Sequence, residues 1–259
     1  MALAELLKAN PVLTVDELVR QFGVSAQTMR RDFQYLAERG LLTRTHGGAV
    51  ARVAEGLGFE AAFKLRAAQR APQKAAIARA ALGLVTPGST VMLDASTSVL
   101  ALAQALPRDV EAHAIINAFP IGLELSSRPN VTTTVIGGTL RPTSLSASGP
   151  LAETMLRRLF ADTAFISTRG LSLERGLTEA NPAESALKEI MIANATRVVA
   201  LVDSSKFERT ALSLFGRVSD LDVVVTDADA DPQMLRGLRE RGIDVRVAPG
   251  SAGSHGDSR

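Results

Sequence analysis

Four polar turns in this 259-residue chain, each closing a short apolar run, hold residue types that could grip an anion. The first is Asp94-Ala95-Ser96-Thr97-Ser98, which leads into a helical pattern beginning near Val99. A hydroxyl-rich turn at a helix start offers free backbone amides, a favourable dipole and hydroxyl donors, which together suit a phosphate. A plain Ser/Thr N-cap accounts for the same turn equally well. Asn117 closes a second run. Gly137-Gly138, followed by Arg141, closes a third, where glycine permits close backbone approach and arginine can hold an anion. Asp203-Ser204-Ser205-Lys206 closes a fourth and sets Lys206 where a ligand-facing cation would sit. Glu184 and Lys188, at i and i+4 on one helical stretch, have the spacing of a weak surface ion pair, and Lys188 also counts among the candidate ligand cations.

A second set of residues lies near the N-terminus. Thr14 and Glu17 have capping-box spacing, and Val15, Leu18, Val19 and Phe22 follow at i, i+3, i+4, i+7, the apolar face of a first helix. Gly23 supplies a sharp turn, and Ser25 is an N-cap for a second helix that buries Ala26, Met29, Phe33 and Leu36 and ends at Gly40. The outer face of that helix carries Gln27, Thr28, Arg30, Arg31, Gln34 and Tyr35, donors and acceptors of the kind that meet base edges and phosphates in a major groove. Residues 41–45, a His46-Gly47-Gly48 turn and Ala49-Val50 form the hairpin of a wing, with Arg44 and His46 near its tip. The candidate DNA contacts are therefore Ser25, Gln27, Thr28, Arg30, Arg31, Gln34, Arg44 and His46. A solvated helical hairpin would explain the helix pair alone, but it does not explain the glycine-tipped wing that follows.

The elements that must position the polar turns are read from residue 90 onward. Apolar runs at 90–94, 113–117, 131–137, 163–167, 197–203, 222–227 and 244–247 alternate with helical patterns such as Val99, Leu102, Ala103 and Leu106. That rhythm predicts a mostly parallel sheet covered by helices, in which ligands bind beyond the carboxyl ends of the strands. The fold class is α/β: a winged helix-turn-helix over 1–55, a linker over 56–71 that becomes helical near Pro72, an α/β domain over 72–248 and a disordered tail over 249–259. The helix after the linker would span 74–85.

Composition narrows the classes further. Apolar residues make up 46% and charged residues 22%, which suits a globular chain with a sizeable core. Cysteine is absent, so disulfides, thiolate metal sites and thiol nucleophiles are excluded together. His46, His113 and His255 lie too far apart for metal-ligand spacing. No apolar run reaches membrane-spanning length and no signal-peptide pattern opens the chain, so a cytoplasmic location, no membrane partner and no cofactor are expected. Residues 1–80 carry 12 Lys and Arg against 7 Asp and Glu, whereas the remainder carries 17 against 20. The basic excess belongs to the segment with the helix pair, as phosphate contacts require.

Taken together, these residues resemble the DeoR family of bacterial transcription regulators over nearly the whole chain. The specific matches are Ser25 to Phe33 (SAQTMRRDF, against S-x-x-T-I-R-R-D-L), the wing His46-Gly47-Gly48-Ala49, and Asp203 to Phe207 (DSSKF). Weaker ones are Lys74 with Ile77-Ala78, the 94–98 turn, Asn117, Gly137-Gly138, Phe165 to Gly170, Gly176-Leu177-Thr178 and Thr226-Asp227. The chain departs in having Ser96 where the family often has glycine, Ile116 before Asn117 where threonine is usual, and a short N-terminus in which the family's leading helix, ahead of the helix pair, has to begin almost at Met1. The resemblance implies a C-terminal domain like ribose-5-phosphate isomerase and CoA-transferase folds that senses a phosphorylated sugar. It further implies a repressor of sugar metabolism bound to double-stranded operator DNA as a homo-oligomer, dimer or tetramer. Asp94, Ser96, Thr97, Ser98, Asn117, Gly138, Arg141, Lys188 and Lys206 are then the effector-binding candidates. The rival reading is an isomerase with a DNA-binding head, in which Asp94, Glu179, Glu184, Asp203, Lys188 and Lys206 would move protons. A scaffold whose body only oligomerises is a further alternative. No pattern in the chain sets a base opposite an electrophile, so no catalytic residue is assigned.

Overall fold

A computed structural model describes residues 12–14, 18–19, 23–38, 42–45, 48–51 and 58–250. They form two compact units, divided between Ala71 and Pro72, with Pro142–Leu145 belonging to the first.

In the first unit β1 (Val12–Thr14) pairs with β3 (Gly48–Ala51), whose other edge takes β2 (Leu42–Thr45), all antiparallel. The β2–β3 pair is the expected wing hairpin. The third strand is new, because three residues are too few to show a period of two. Thr14 thus ends a strand, while its expected capping partner Glu17, the helix-ending Gly40 and the wing residues His46 and Gly47 lie outside the described residues. Helix α1 (Ala26–Glu38) starts as anticipated: the Ser25 hydroxyl accepts the Thr28 amide at 3.1 Å, and Gly23 takes φ +66° in the turn before it. Met29 and Phe33, one turn apart, are buried, as is Leu18.

Residues 58–68, expected in a linker, are helical instead. Helix α2 (Gly58–Ala68) buries Phe63 and Leu65, and Arg66 donates to the Thr143 carbonyl at 2.6 Å while its guanidinium stands 5.8 Å from the Phe63 ring centre. Its alanines favour helix, but Phe63 and Leu65 are two apart and give no helical stripe to read. Helix α3 (Ala71–Ala81) stops short of the expected residue 85, giving way to a 3-10 turn over Leu82–Leu84. Gly83 sits in that turn, where helix propensity is poor.

The second unit is built on seven parallel strands: β4 (Ser89–Leu93), β5 (Ala112–Ile116), β6 (Val131–Val135), β9 (Ala161–Ile166), β12 (Ala195–Leu201), β14 (Val223–Thr226) and β15 (Asp244–Val247). All seven expected strands are present. Their order is β15-β14-β12-β9-β4-β5-β6. Helices α4 (Thr97–Ala105), α5 (Phe119–Leu125), α6 (Pro150–Leu156), α7 (Pro182–Ala193) and α8 (Pro232–Arg239) lie between them in sequence. Two small additions were not legible: the hairpin β7 (Thr139–Arg141) with β8 (Ser146–Ser148), and the antiparallel sheet of β10 (Gly170–Ser172), β11 (Gly176–Glu179) and β13 (Ser213–Gly216). Met92, Ala164, Ile166, Ala200, Val202 and Val224 from the central strands pack with Leu187, Ile190 and Met191 of α7 in one buried cluster.

The strand order reverses between β4 and β9. From β4 the chain proceeds outward through β5 and β6, and from β9 it proceeds the other way through β12, β14 and β15. In an open parallel sheet such a reversal leaves a crevice beyond the carboxyl ends of the two strands, the default ligand position. Phe165 of β9 is completely buried beside that reversal. Phe165→Ala should destabilise the second unit by about 3–5 kcal/mol, the usual range for emptying an aromatic site. Chemical denaturation of the full chain, read on the transition of this unit, checks the figure.

Candidate functional site

The crevice at the reversal is framed by Asp94, which leaves β4, and Ser167, which leaves β9. Asp94 is buried, and both its oxygens are engaged. Oδ1 accepts the Ser96 amide at 3.0 Å, while Oδ2 accepts the Ser167 amide at 2.9 Å and stands 3.2 Å from the Lys188 ammonium. Lys188 Nζ also donates to the Ser167 carbonyl at 2.8 Å and to Glu179 Oε2 at 2.7 Å. The other Glu179 oxygen accepts the Ala180 amide at 2.8 Å and lies 3.4 Å from Arg169 Nε. A chain of alternating charge, Asp94–Lys188–Glu179–Arg169, buried up to Glu179 and ending at the partly exposed Arg169, therefore stitches β4, β9, β11 and α7 together.

The electrostatics follow from that arrangement. Burial alone would raise the Glu179 carboxyl, but the Lys188 charge and hydrogen bond, the Ala180 amide and Arg169 hold it down at about 2. Burial likewise works against a charged Lys188, yet Asp94 and Glu179 together keep it protonated well above the usual lysine range. The Lys206 ammonium has the opposite balance: burial lowers it, Asp203 raises it, and the nearby Arg169 and Arg209 lower it again.

These contacts correct one expectation. Glu184 and Lys188 are not a surface ion pair: both are buried, with Glu184 bound to Arg141 at 2.7 Å and to the Ser146 hydroxyl at 3.3 Å, and Lys188 turned to Asp94 and Glu179. The i, i+4 spacing put them on one face, but that face is covered. Lys188, an effector-binding candidate, has its ammonium against three protein acceptors, the Ser167 carbonyl, Glu179 and Asp94.

The other expected effector residues divide in a similar way. Ser96 is the N-cap of α4, its hydroxyl accepting the Val99 amide at 3.1 Å, so the capping reading of that side chain holds. Thr97 is half-buried and Ser98 buried in the first turn of α4. Asn117 leaves β5 beside Asp94, because Ile116 pairs with Leu93. Its Nδ2 donates to the Ala147 carbonyl at 3.0 Å, while its Oδ1 is buried and has no hydrogen-bond partner. Gly138 takes φ +150°, and a Cβ there would crowd the Ser148 carbonyl and Ala152, so the close approach it permits is to its own chain. Lys206 ends a 3-10 turn that Asp203 caps through the Ser205 amide.

On the first unit, Gln27, Thr28, Arg30, Arg31 and Gln34 form an exposed face of α1, opposite Met29 and Phe33. Ser25 is exposed at the cap, its hydroxyl 2.9 Å from that of Thr28. Arg44 falls within β2, and His46 lies outside the described residues.

A profile of the DeoR-like helix-turn-helix domain matches residues 1–53, and one of the DeoR C-terminal sensor domain matches residues 69–228. The transcriptional repressor AccR of Agrobacterium fabrum is 34% identical over 229 residues, covering 87% of each chain. The glycerol-3-phosphate regulon repressor of Escherichia coli is 29% identical over 243 residues, covering 94% of this chain and 95% of the relative. The chain belongs to the DeoR family. A ribose 5-phosphate isomerase of Methanocaldococcus jannaschii aligns with 52% of the chain and 53% of its own length at 17% identity, with a TM-score of 0.39.

This DeoR-family chain is thus a transcription regulator with a DNA-binding head and a sensor body. Among its described residues no group of His, Cys, Asp and Glu is placed to hold a metal ion, and no helix is long and apolar enough to cross a membrane. Arg169, Arg209 and Asp227 were absent from the sequence reading of the site. Arg169 and Asp227 fall within the weaker stretches of resemblance, Phe165 to Gly170 and Thr226-Asp227, without a site role attached to them, and no local motif marks Arg209.

The charge chain gives a pH prediction. Glu179 titrates near 2 when folded and near 4.5 when unfolded, so the stability it contributes is complete above pH 4.5 and is lost as pH falls toward 2. Glu179→Gln should cost about 3–5 kcal/mol near neutral pH by leaving Lys188 under-compensated. The variant should also show a flatter fall in melting temperature than the wild type between pH 4.5 and 2, as thermal melts across that window would record.

Proposed function

We propose that this regulator is a repressor of sugar metabolism, in which residues 72–248 bind a phosphorylated sugar and residues 1–55 bind operator DNA. The observation that carries the effector reading is the turn after β4. It is held from below by Asp94, capped by Ser96, and placed at the strand reversal with the first amides of α4 beyond it. Amides and hydroxyls at Thr97 and Ser98 suit a phosphate, and Lys206 is the cation best placed by strand-end position to join them. The unpartnered Asn117 Oδ1 suits a sugar hydroxyl, since a buried acceptor without a donor is costly. Arg141 contributes by holding Glu184, and Asp94 and Lys188 by shaping the turn.

The same geometry favours a sensor over an isomerase. Glu179, held near 2, is a weak base at neutral pH, and Asp94 already accepts two amides and an ammonium. Proton transfer would have to dismantle the contacts that hold the crevice together. The protein is cytoplasmic in this reading and acts as a homo-oligomer, because one small head offers few phosphate contacts and paired half-sites raise affinity through linkage.

Two measurements test the reading. Arg31→Ala should weaken operator binding and shallow its salt dependence, because fewer counterions are released, while Gln27→Ala should relax base preference by about 1–3 kcal/mol. Gel-shift titrations at several salt concentrations in which both variants match wild type would remove α1 from the interface. For the body, Thr97→Val keeps shape and removes a hydroxyl, so the protein should still bind DNA but lose roughly tenfold in affinity for its best sugar phosphate, about 1.4 kcal/mol. Calorimetry showing unchanged affinity would move the phosphate elsewhere.

A further inference from the structure

We infer that the effector carries a second anionic group besides its phosphate, held by Arg169 and Arg209 together with Lys206. The inference rests on the proposed phosphate site at the turn after β4. The chain over 207–211 runs along the small antiparallel sheet and is fastened at several points. Phe207 bridges Leu171, the Glu208 amide donates to the Leu171 carbonyl at 2.8 Å, and the Ala211 amide donates to the Thr178 hydroxyl at 2.8 Å. A Cβ at Gly170 would collide with the Arg209 carbonyl, so Arg209 lies directly against the residue that follows Arg169. Glu208 reaches this path only by adopting φ +52°, a left-handed conformation that a non-glycine side chain rarely takes. Backbone strain of this kind persists where surrounding contacts enforce it, and it concentrates at ligand clamps.

The consequence is a gathering of three positive charges, opposed by Asp203 and Glu179 without a full ion pair at Lys206 or Arg209. Arg169 spends only its Nε on Glu179, at 3.4 Å, and among the described residues neither Lys206 nor Arg209 has a carboxylate within ion-pair distance. Asp203, the acid nearest to Lys206 in sequence, is occupied by the amide and hydroxyl of Ser205. Lys206 holds its proton less tightly than an ordinary lysine, chiefly through burial, with Asp203 opposing and the Arg169 and Arg209 charges adding to the effect. Like charges gathered at a partly exposed rim favour an anion as their counter-charge. A single phosphate does not use them all. Lys206 stands at the end of β12, two strands from the β4 turn, or about 10 Å at the usual spacing of strands. A phosphate seated on the α4 amides therefore leaves the two arginines to a second anion on the same ligand. Planar guanidinium forks take a carboxylate or a second phosphate equally well.

The test uses the full chain and calorimetry with matched ligands: erythrose 4-phosphate with 4-phosphoerythronate, ribose 5-phosphate with 5-phosphoribonate, glucose 6-phosphate with 6-phosphogluconate, and fructose 6-phosphate with fructose 1,6-bisphosphate. In the best-bound pair the doubly anionic member should bind at least tenfold more tightly, a carboxylate or a second phosphate being told apart by which pair this is. Arg209→Met, at an exposed side chain, should remove that preference by weakening the doubly anionic member tenfold or more and its partner no more than twofold. Equal binding of both members, or equal weakening of both by Arg209→Met, would overturn the second site while leaving the phosphate site standing. Failure of every compound to bind would overturn both.

Discussion

The crevice depends on one buried ammonium. Lys188 lies beneath the polar turns, 5.1 Å from the Phe215 ring centre, with Asp94, Glu179 and the Ser167 carbonyl as its acceptors. An ammonium removed from water is tolerable only when its partners arrive in good geometry and their remaining lone pairs are satisfied. Here they are: Asp94 takes two amides as well, and Glu179 takes the Ala180 amide and Arg169. α7 cannot shift without exposing an uncompensated charge, so the helix, the turn after β4 and the loop after β9 hold one another in place.

Around that centre the strand ends repeat a single device. Asp94, Asp203 and Asp227 follow β4, β12 and β14, and each accepts the amide two residues on, from Ser96, Ser205 and Asp229. Side-chain acceptance of that amide is what lets aspartate fold a tight turn without help from the sheet. Two of them also reach sideways, Asp94 to the Ser167 amide and Asp227 to the Ser204 amide at 2.7 Å. Each turn is thereby braced against the loop beyond an adjacent strand, and the row of turns becomes a rigid rim. The carboxylates that the sequence offered as ligand groups are consumed in building this rim. What the proposed reading leaves for a ligand is mostly donors, the first amides of α4, the hydroxyls of Thr97 and Ser98, Lys206 and the two arginines, with Asn117 Oδ1 as the acceptor.

The sequence carried the framework better than the site. Buried parallel strands are apolar on both faces, so runs such as Val198 to Val202 stand out, and all seven were found. Strands of three or four residues, such as Thr139–Arg141 and Gly170–Ser172, are too short for a period, and the helix over 58–68 lacks an apolar stripe. Glu184 and Lys188 show the limit more sharply. Helical spacing correctly put them on one face, but whether that face meets water or a second layer is decided by β8 and β11, neither of which was legible. Arg169 and Arg209 are forty residues apart, and the backbone at Arg209 reaches Gly170 only because Phe207 and Glu208 return beside Leu171.

Position at the strand reversal also bears on how a sensor could respond. The sheet consists of two runs, β4 to β6 and β9 to β15, and their carboxyl ends are joined at the crevice by the Asp94–Lys188–Glu179 chain. A ligand shifts an equilibrium only by as much as it binds one arrangement better than another. An anion held by the β4 turn alone would touch one run and could discriminate little between arrangements of the two. An anion that meets α4 on one side and Lys206 or Arg169 on the other spans both, and its affinity then depends on their relative placement. Such a contact converts binding into a coupling free energy, which is what a regulator needs from its effector site and what an isolated phosphate grip lacks.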